Sequence, residues 1–363
     1  MLKPTGQHFI YDLENILFET LEHIPHDGVE IESGAADADS PFDLIVRVHI
    51  GKRTHHLLVA AKTSAQPRQI QEVINATRIH VNKNKVSDPV VIAAPYLSPR
   101  AREMCREERL NYVDLHGNAL LSFAHVYIDK ETTSTPKPET RELKSLYKPK
   151  SARVLRQLLG DPDKVWSLSS LSGATGVSLG HVSNVRNRLR DRGWLAESEG
   201  RFKVSYANEI LDEWRENYDG PGGLRLYFYT PHHGKQFDDA THEAIGFDAD
   251  ASLPTLFASF SAAKHLAPFV RGITTTYVYA PEQAVDRLKA FFELTSTSEK
   301  RANFIITIPD DEGVFFSPER DKGNVLTTAA LQTYLDLYLA GERGQEAAEY
   351  LRSKRLQWLA STD

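Results

Sequence analysis

One stretch constrains this chain more than any other: SLSSLSGATGVSLGHVSNVRNRLRDRGWLAESEGRFK, running from Ser167 to Lys203. Ser167 suits the N-cap of a short helix in which Leu168, Leu171 and Ala174 recur at helical spacing. Gly176 can supply the positive φ that a tight inter-helix turn demands, and Ser178 opens a second helix. In that helix Val182, Val185 and Leu189 form an inward stripe, while Gly180, Asn184 and Asn187 point the other way at 100° per residue. Gly193 stops it. Trp194 and Leu195 then start a strand that turns at Glu199 and Gly200 and returns through Phe202 and Val204. Two helices at a tight turn followed by a short hairpin make a winged helix-turn-helix.

The outward face of the second helix has what a DNA major groove requires: amide and guanidinium donors, short residues that permit close approach, and no carboxylate in the first two turns. Ser178, His181, Ser183, Asn184, Asn187, Arg188 and Arg190 are the expected contacts there, with Arg201 and Lys203 on the wing and Lys148 and Lys150 ahead of the module. Arg186 falls beside the apolar stripe, so its stem should lie on the core and its head reach a phosphate or nothing. The competing reading is a module used for protein contacts, its arginines a solvated face.

Basic residues concentrate from Lys144 to Arg192, including Arg153, Arg156 and Arg192, whereas the whole chain carries a net charge of −6. DNA contact is therefore expected to be local. No apolar run approaches the length of a spanning helix and the N-terminus lacks a signal-peptide core, which fits a cytoplasmic protein. The one cysteine, Cys105, allows neither an intramolecular disulfide nor a cysteine-based zinc site.

The expected organisation is a multidomain α/β protein: an α/β domain over 1–130, a linker over 131–150, the winged helix over 151–218 and a second α/β domain over 224–363. A fragment from about Lys144 to Tyr218 is expected to fold alone, since Leu155, Leu158, Leu168, Leu171, Val182, Val185, Leu189 and Trp194 can bury one another. In the first domain a helix over 8–24 precedes strands GVEIES, FDLIVRVHI and HHLLVAAK, then helix QPRQIQEVINATRIHV, strand PVVIAAPYL, a helix from Pro99 to Leu110, and strand NYVDLHGNALLSF ending near Lys130. This order resembles the restriction-endonuclease-like fold, whose active members hold a divalent metal with an Asp on one strand and an acid-x-Lys on the next. Asp43 and Lys62 stand at those places, but Ala60 occupies the second acidic position. One carboxylate and one lysine hold a hard cation poorly, so an inactive domain without metal or cofactor is expected. The alternative is a metal-dependent nuclease in which Glu30 or Glu32 substitutes for the missing acid beside Asp43 and Lys62. Asp114, His116 and Asn118 tempt as a site, although a turn at Gly117 and Asn118 between apolar strands accounts for the same residues.

After the wing, ANEILDEWRENY makes a helix that Asp219-Gly220-Pro221-Gly222-Gly223 breaks. Beyond it, strands LRLYFYT, TTYVYA, ANFIITI and GVFFSP are expected, with helices LPTLFASFSAAKHLAPFV, EQAVDRLKAFFEL, TTAALQTYLDLYLA and RGQEAAEYLRSKRLQWL. Asp248 and Asp250 have acid-x-acid spacing, but no phosphate-cradling turn precedes them, and His232-His233 lacks a third metal ligand. No P-loop, dinucleotide fingerprint or hydrolase elbow is present.

SARVLRQLL, VSLGHVSNVRNRLRDRGWL, DEWRENY, SAAKHLAPFV and TYLDLYLAGERGQEAAEYL together resemble the AbiEi-type antitoxins and related transcriptional regulators of type IV toxin-antitoxin systems, and NYVDLHGNALL is similar to segments upstream in larger members. The resemblance covers most of the chain beyond Leu110. It implies a winged-helix repressor of its own operon that binds double-stranded DNA at inverted repeats, as a homodimer would, with a nucleotidyltransferase-like toxin as genetic partner. The N-terminal α/β domain is a departure from the smaller members.

Overall fold

The computed structural model describes residues 4–33, 41–63, 65–84, 88–132, 145–246, 253–320 and 324–358. By its contacts the chain divides into two compact units, residues 1–142 with 187–193, and residues 143–186 with 194–363. The class is mixed α/β, as expected.

In the first unit, helix α1 (Pro4–Leu21) places Phe9, Leu13, Leu17 and Leu21 one turn apart on a single buried stripe. They pack on one face of a seven-stranded sheet in sequential order: β1 (Gly28–Ser33), β2 (Leu44–Ile50), β3 (Arg53–Ala61), β4 (Val90–Ala94), β5 (Asn111–Asp114), β6 (Ala119–Phe123) and β7 (Val126–Lys130). The first three strands are antiparallel, β3, β4 and β5 run parallel, and the last three are antiparallel again. Helices α2 (Pro67–Asn84) and α3 (Pro99–Glu107) supply the crossovers that the parallel pairs need and cover the opposite face, where Ile70, Ile74, Ala101 and Cys105 meet Leu58, Ala60 and Ile92. Being buried on both faces, β4 consists of five wholly apolar residues without alternation. The stretch from Asn111 forms three strands, with the turn at Gly117 and Asn118 between the first two.

The second unit begins with α4 (Pro149–Gly160), α5 (Leu168–Thr175), α6 (Leu179–Asp191), whose last turns belong to the first unit, the hairpin β8 (Leu195–Ser198) and β9 (Arg201–Val204), and α7 (Ala207–Asn217). A second seven-stranded sheet follows, ordered β13-β10-β14-β12-β11-β16-β15. Its strands are β10 (Leu224–Tyr229), β11 (Leu256–Phe257), β12 (Thr276–Tyr279), β13 (Thr295–Ser296), β14 (Phe304–Ile308), β15 (Glu319–Arg320) and β16 (Leu326–Thr327). Helices α8 (Lys235–Ala244), α9 (Ser259–Leu266), α10 (Val285–Phe291), α11 (Ala330–Tyr338) and α12 (Glu342–Arg355) accompany it.

LPTLFASF begins as the short strand β11 rather than as helix. GVFFSP is no strand: the Asp311 carboxylate accepts the Gly313 N–H at 2.9 Å and closes a 3-10 turn over Glu312–Phe315. In α5 the buried partner of Leu171 is Thr175, not Ala174, because the Thr175 hydroxyl donates to the Leu171 carbonyl at 2.7 Å and hides its polarity.

The winged segment also has less independence than expected. Arg156 of α4 is buried, donating to Asp311 at 2.8 Å and twice to Gln332 of α11 at 3.0 and 2.7 Å, with its guanidinium 5.4 Å from the Trp214 ring. Tyr218 donates to Asp336 at 3.0 Å, and Arg352 of α12 reaches Asp212 and Asn208 of α7. A fragment ending at Tyr218 would cut this buried polar network and leave Arg156 without its carboxylate.

Candidate nucleic-acid interface

The helix pair of the winged module is held by local chemistry. Ser167 Oγ accepts the Ser170 N–H at 3.1 Å while Ser170 Oγ accepts the Ser167 N–H at 2.9 Å, a reciprocal cap that satisfies two otherwise orphaned donors of α5. Gly176 ends α5 at φ 64°, and the Ser178 carbonyl accepts from Val182 to begin α6. Val182, Val185 and Leu189 are all buried, as their spacing predicts. Glu199 and Gly200, at φ 50° and 76°, make the tight hairpin of the wing. Trp166 adds a third strand-like rung by exchanging backbone hydrogen bonds of 2.8 and 2.9 Å with Phe202.

On the outward face Ser178, Gly180 and Asn184 are exposed, and Ser183 and Asn187 are half-buried. Gly180 is informative because a Cβ built there meets nothing within 4 Å. Glycine costs an exposed helix about 1 kcal/mol relative to alanine, so no internal packing reason accounts for it. Leu179, 52% exposed, joins the same surface beside Ser183. Its helical phase, 100° from Gly180, was the available signal for it.

The charged residues divide. His181 faces inward, its Nε2 3.0 Å from the Ser151 hydroxyl in the first turn of α4, so it is not aimed into a groove. Arg186 lies over the Phe202 ring with its Nε 2.8 Å from Glu197 Oε1, so its head goes to a wing carboxylate, neither to a phosphate nor to nothing. Arg190 leans on Asp191 at 3.4 Å, and Lys203 sits 3.6 Å from Asp163. Arg188 is half-buried, and Arg192 is buried with its Nη1 donating to the Arg188 carbonyl at 3.3 Å. Arg153 is drawn off by Glu312 and stacks on Phe316. Arg201, Lys148 and Lys150 are exposed and have no ion-pair partner among the described residues. The last two flank Pro149 immediately before Ser151, and so lie next to the turn that touches His181. The basic cluster of the sequence thus shrinks to a few free cations, because several arginines serve the fold.

No family model, curated protein or solved structure matches the chain.

In the first unit Asp43 and Lys62 stand at the same end of the β2–β3 pair: Asp43 Oδ2 accepts the Ala61 N–H at 2.8 Å, and the Asp43 N–H donates to Val59. Ala60 is fully buried in the core against α2, where a carboxylate would be desolvated. The acids of β1 are engaged elsewhere, Glu32 with Arg47, and Glu30 within 4.0 Å of Arg47 and 3.8 Å of His49. Among the described residues no group of three His, Cys, Asp or Glu side chains is placed to hold a metal ion.

Asp114, His116 and Asn118 are turn chemistry. Asp114 is fully buried; its Oδ1 accepts the N–H groups of His116 and Asn118 at 2.9 and 3.0 Å, and its Oδ2 accepts Leu97 N–H at 3.0 Å and Asn118 Nδ2 at 2.8 Å. Arg102 closes the knot by donating to Asn118 Oδ1. His232 lies 3.7 Å from Glu293 and His233 Nδ1 3.1 Å from the Pro231 carbonyl, both in a loop. Asp248 and Asp250 lie outside the described residues.

Proposed function

We propose that this protein is a sequence-specific DNA-binding regulator of transcription whose winged helix reads the major groove. One observation carries the reading: α6 and the Ser178 before it expose Ser178, Leu179, Gly180 and Asn184, with half-buried Asn187 beside them, and a Cβ at Gly180 would meet nothing within 4 Å. Carboxamides there can pair with adenine, Leu179 can meet a thymine methyl, and Gly180 permits the approach. Arg201 on the wing and Lys148 and Lys150 beside α4 are the free cations suited to phosphates.

Within that reading the resemblance to AbiEi-type antitoxins gives the biological role: repression of the protein's own operon at inverted repeats, with a nucleotidyltransferase-like toxin as genetic partner. The first unit is then a restriction-endonuclease-like domain without nuclease activity, for which the buried Ala60 and the engaged Glu30 and Glu32 are the support.

The test is a titration of the whole protein against its own upstream DNA and a scrambled duplex at two salt concentrations. Asn184→Ala is expected to cost about 1–3 kcal/mol on the preferred site and little on the scrambled one. Arg201→Ala should weaken both alike and flatten the salt dependence. Equal losses on both duplexes for Asn184→Ala would remove the base-reading role.

A further inference from the structure

A cleft of about 680 Å³ opens in the second unit, where β10 ends and β12 and β14 begin, between α8, α9 and the segment 267–275. Its floor is well built: Thr230 N–H donates to the Asn303 side chain at 2.8 Å and Asn303 Nδ2 returns to the Thr230 carbonyl at 2.9 Å, which joins the two strand ends. The 267–275 wall is tied down as well, because Arg343 donates to the Arg271 carbonyl at 2.7 Å.

The lining mixes aromatic and cationic side chains with other polar groups, among them Asp238, His242 and His265. Phe237 and Phe260 give half-exposed aromatic walls, while Phe257 behind them is all but fully buried and stacked on His265 with ring centroids 5.3 Å apart. Lys264 and Arg271 give positive charge, and neither side chain has an ion-pair partner among the described residues. Inside the wall the Thr241 hydroxyl and His232 Nδ1 are buried without a hydrogen-bond partner. Buried polar atoms in native folds are nearly always satisfied, so two orphans beside one cavity are a reason to look for a missing partner. Small-molecule sites span roughly 300–1,000 Å³, are mostly apolar, and carry a few convergent polar groups.

We propose that this cleft binds a small ring-bearing anion about the size of a mononucleotide, its ring against Phe237 and Phe260 and its anionic group between Lys264 and Arg271. The assignment is independent of DNA binding. An aromatic body alone would leave two cations unused, and an inorganic anion alone would leave most of the apolar wall wet.

Isothermal titration of the whole protein tests it with four probes: adenosine 5′-monophosphate, indole-3-acetate, adenosine and inorganic phosphate. At least one of the first two should bind stoichiometrically and at least about tenfold tighter than the last two, which separates a phosphate from a carboxylate as the anion. Lys264→Ala with Arg271→Ala should weaken that binding by about tenfold or more while leaving the melting temperature in place, since both side chains are exposed. The proposal is overturned if neither ring-bearing anion saturates at millimolar concentration, if adenosine or inorganic phosphate binds as tightly as the better ring-bearing anion, or if the double substitution leaves binding intact.

Discussion

Replacing Arg156 by methionine isolates the interaction that joins α4 to Asp311 and to Gln332 of α11. Methionine keeps much of the apolar stem against Trp214 but removes three donated hydrogen bonds and the charge facing Asp311, 2.8 Å away. Asp311 and Gln332 are nearly inaccessible, so water cannot replace what is lost. Breaking a buried pair from one side costs about 3–5 kcal/mol. Asp311 retains one oxygen on the Gly313 N–H, which argues for the lower end, near about 3 kcal/mol. Urea unfolding read by tryptophan fluorescence suits the measurement, because Trp166, Trp194, Trp214 and Trp358 all lie in the second unit. Adding Asp311→Asn should recover part of the loss, with a coupling of about 1–3 kcal/mol in the double-mutant cycle. A single-variant cost under about 1 kcal/mol, or strict additivity with Asp311→Asn, would refute the reasoning.

Burial pushes the Asp336 carboxyl up from 3.8 to about 6, against hydrogen bonds from Tyr279, Tyr218 and Gln332 and the nearby Arg156 that favour its ionised form. A proton held more tightly in the folded state makes stability fall as pH rises from about 4 to about 6 and level off above, and Asp336→Asn should flatten that slope in urea midpoints. The Cys105 thiol, buried and raised to about 12, should ignore a thiol-reactive disulfide reagent in the native protein and react once urea opens the first unit; rapid native labelling would contradict its placement. Magnesium or manganese should neither raise the melting temperature nor permit plasmid cleavage, and nicking that disappears in Asp43→Ala would restore the nuclease reading.

What could be read in advance was local. The wing, the turn at Gly176 and the inward stripe of α6 follow from residues a few positions apart, and so does the hairpin that turned Asp114 and Asn118 from an apparent site into a buried knot. What could not be read depended on partners distant in sequence. Arg156 and Arg186 look like phosphate ligands by composition, and only the fold brings Asp311, Gln332 and Glu197 to them. GVFFSP has a strand's residues, but the Asp311 carboxylate accepts the Gly313 N–H and turns the chain there, where Gly313 packs so close to Arg156 Nη1 that an added Cβ would come to 2.6 Å. The cleft had no sequence signal, since its walls come from segments that span most of the second unit.

The segment Asp219-Gly220-Pro221-Gly222-Gly223 has the composition of slack chain, yet the Asp311 N–H donates to the Pro221 carbonyl at 3.1 Å, and a Cβ on Gly223 would come 2.0 Å from the Ile308 carbonyl. It behaves as a weld. A hinge would let the segment before it be exchanged as a cassette; a weld requires any replacement to arrive with matching changes along 308–311. The segment before the glycine run and the sheet behind it must then diversify together, and chimaeras cut at this glycine run should fail to fold more often than chimaeras that keep α4 through α12 whole.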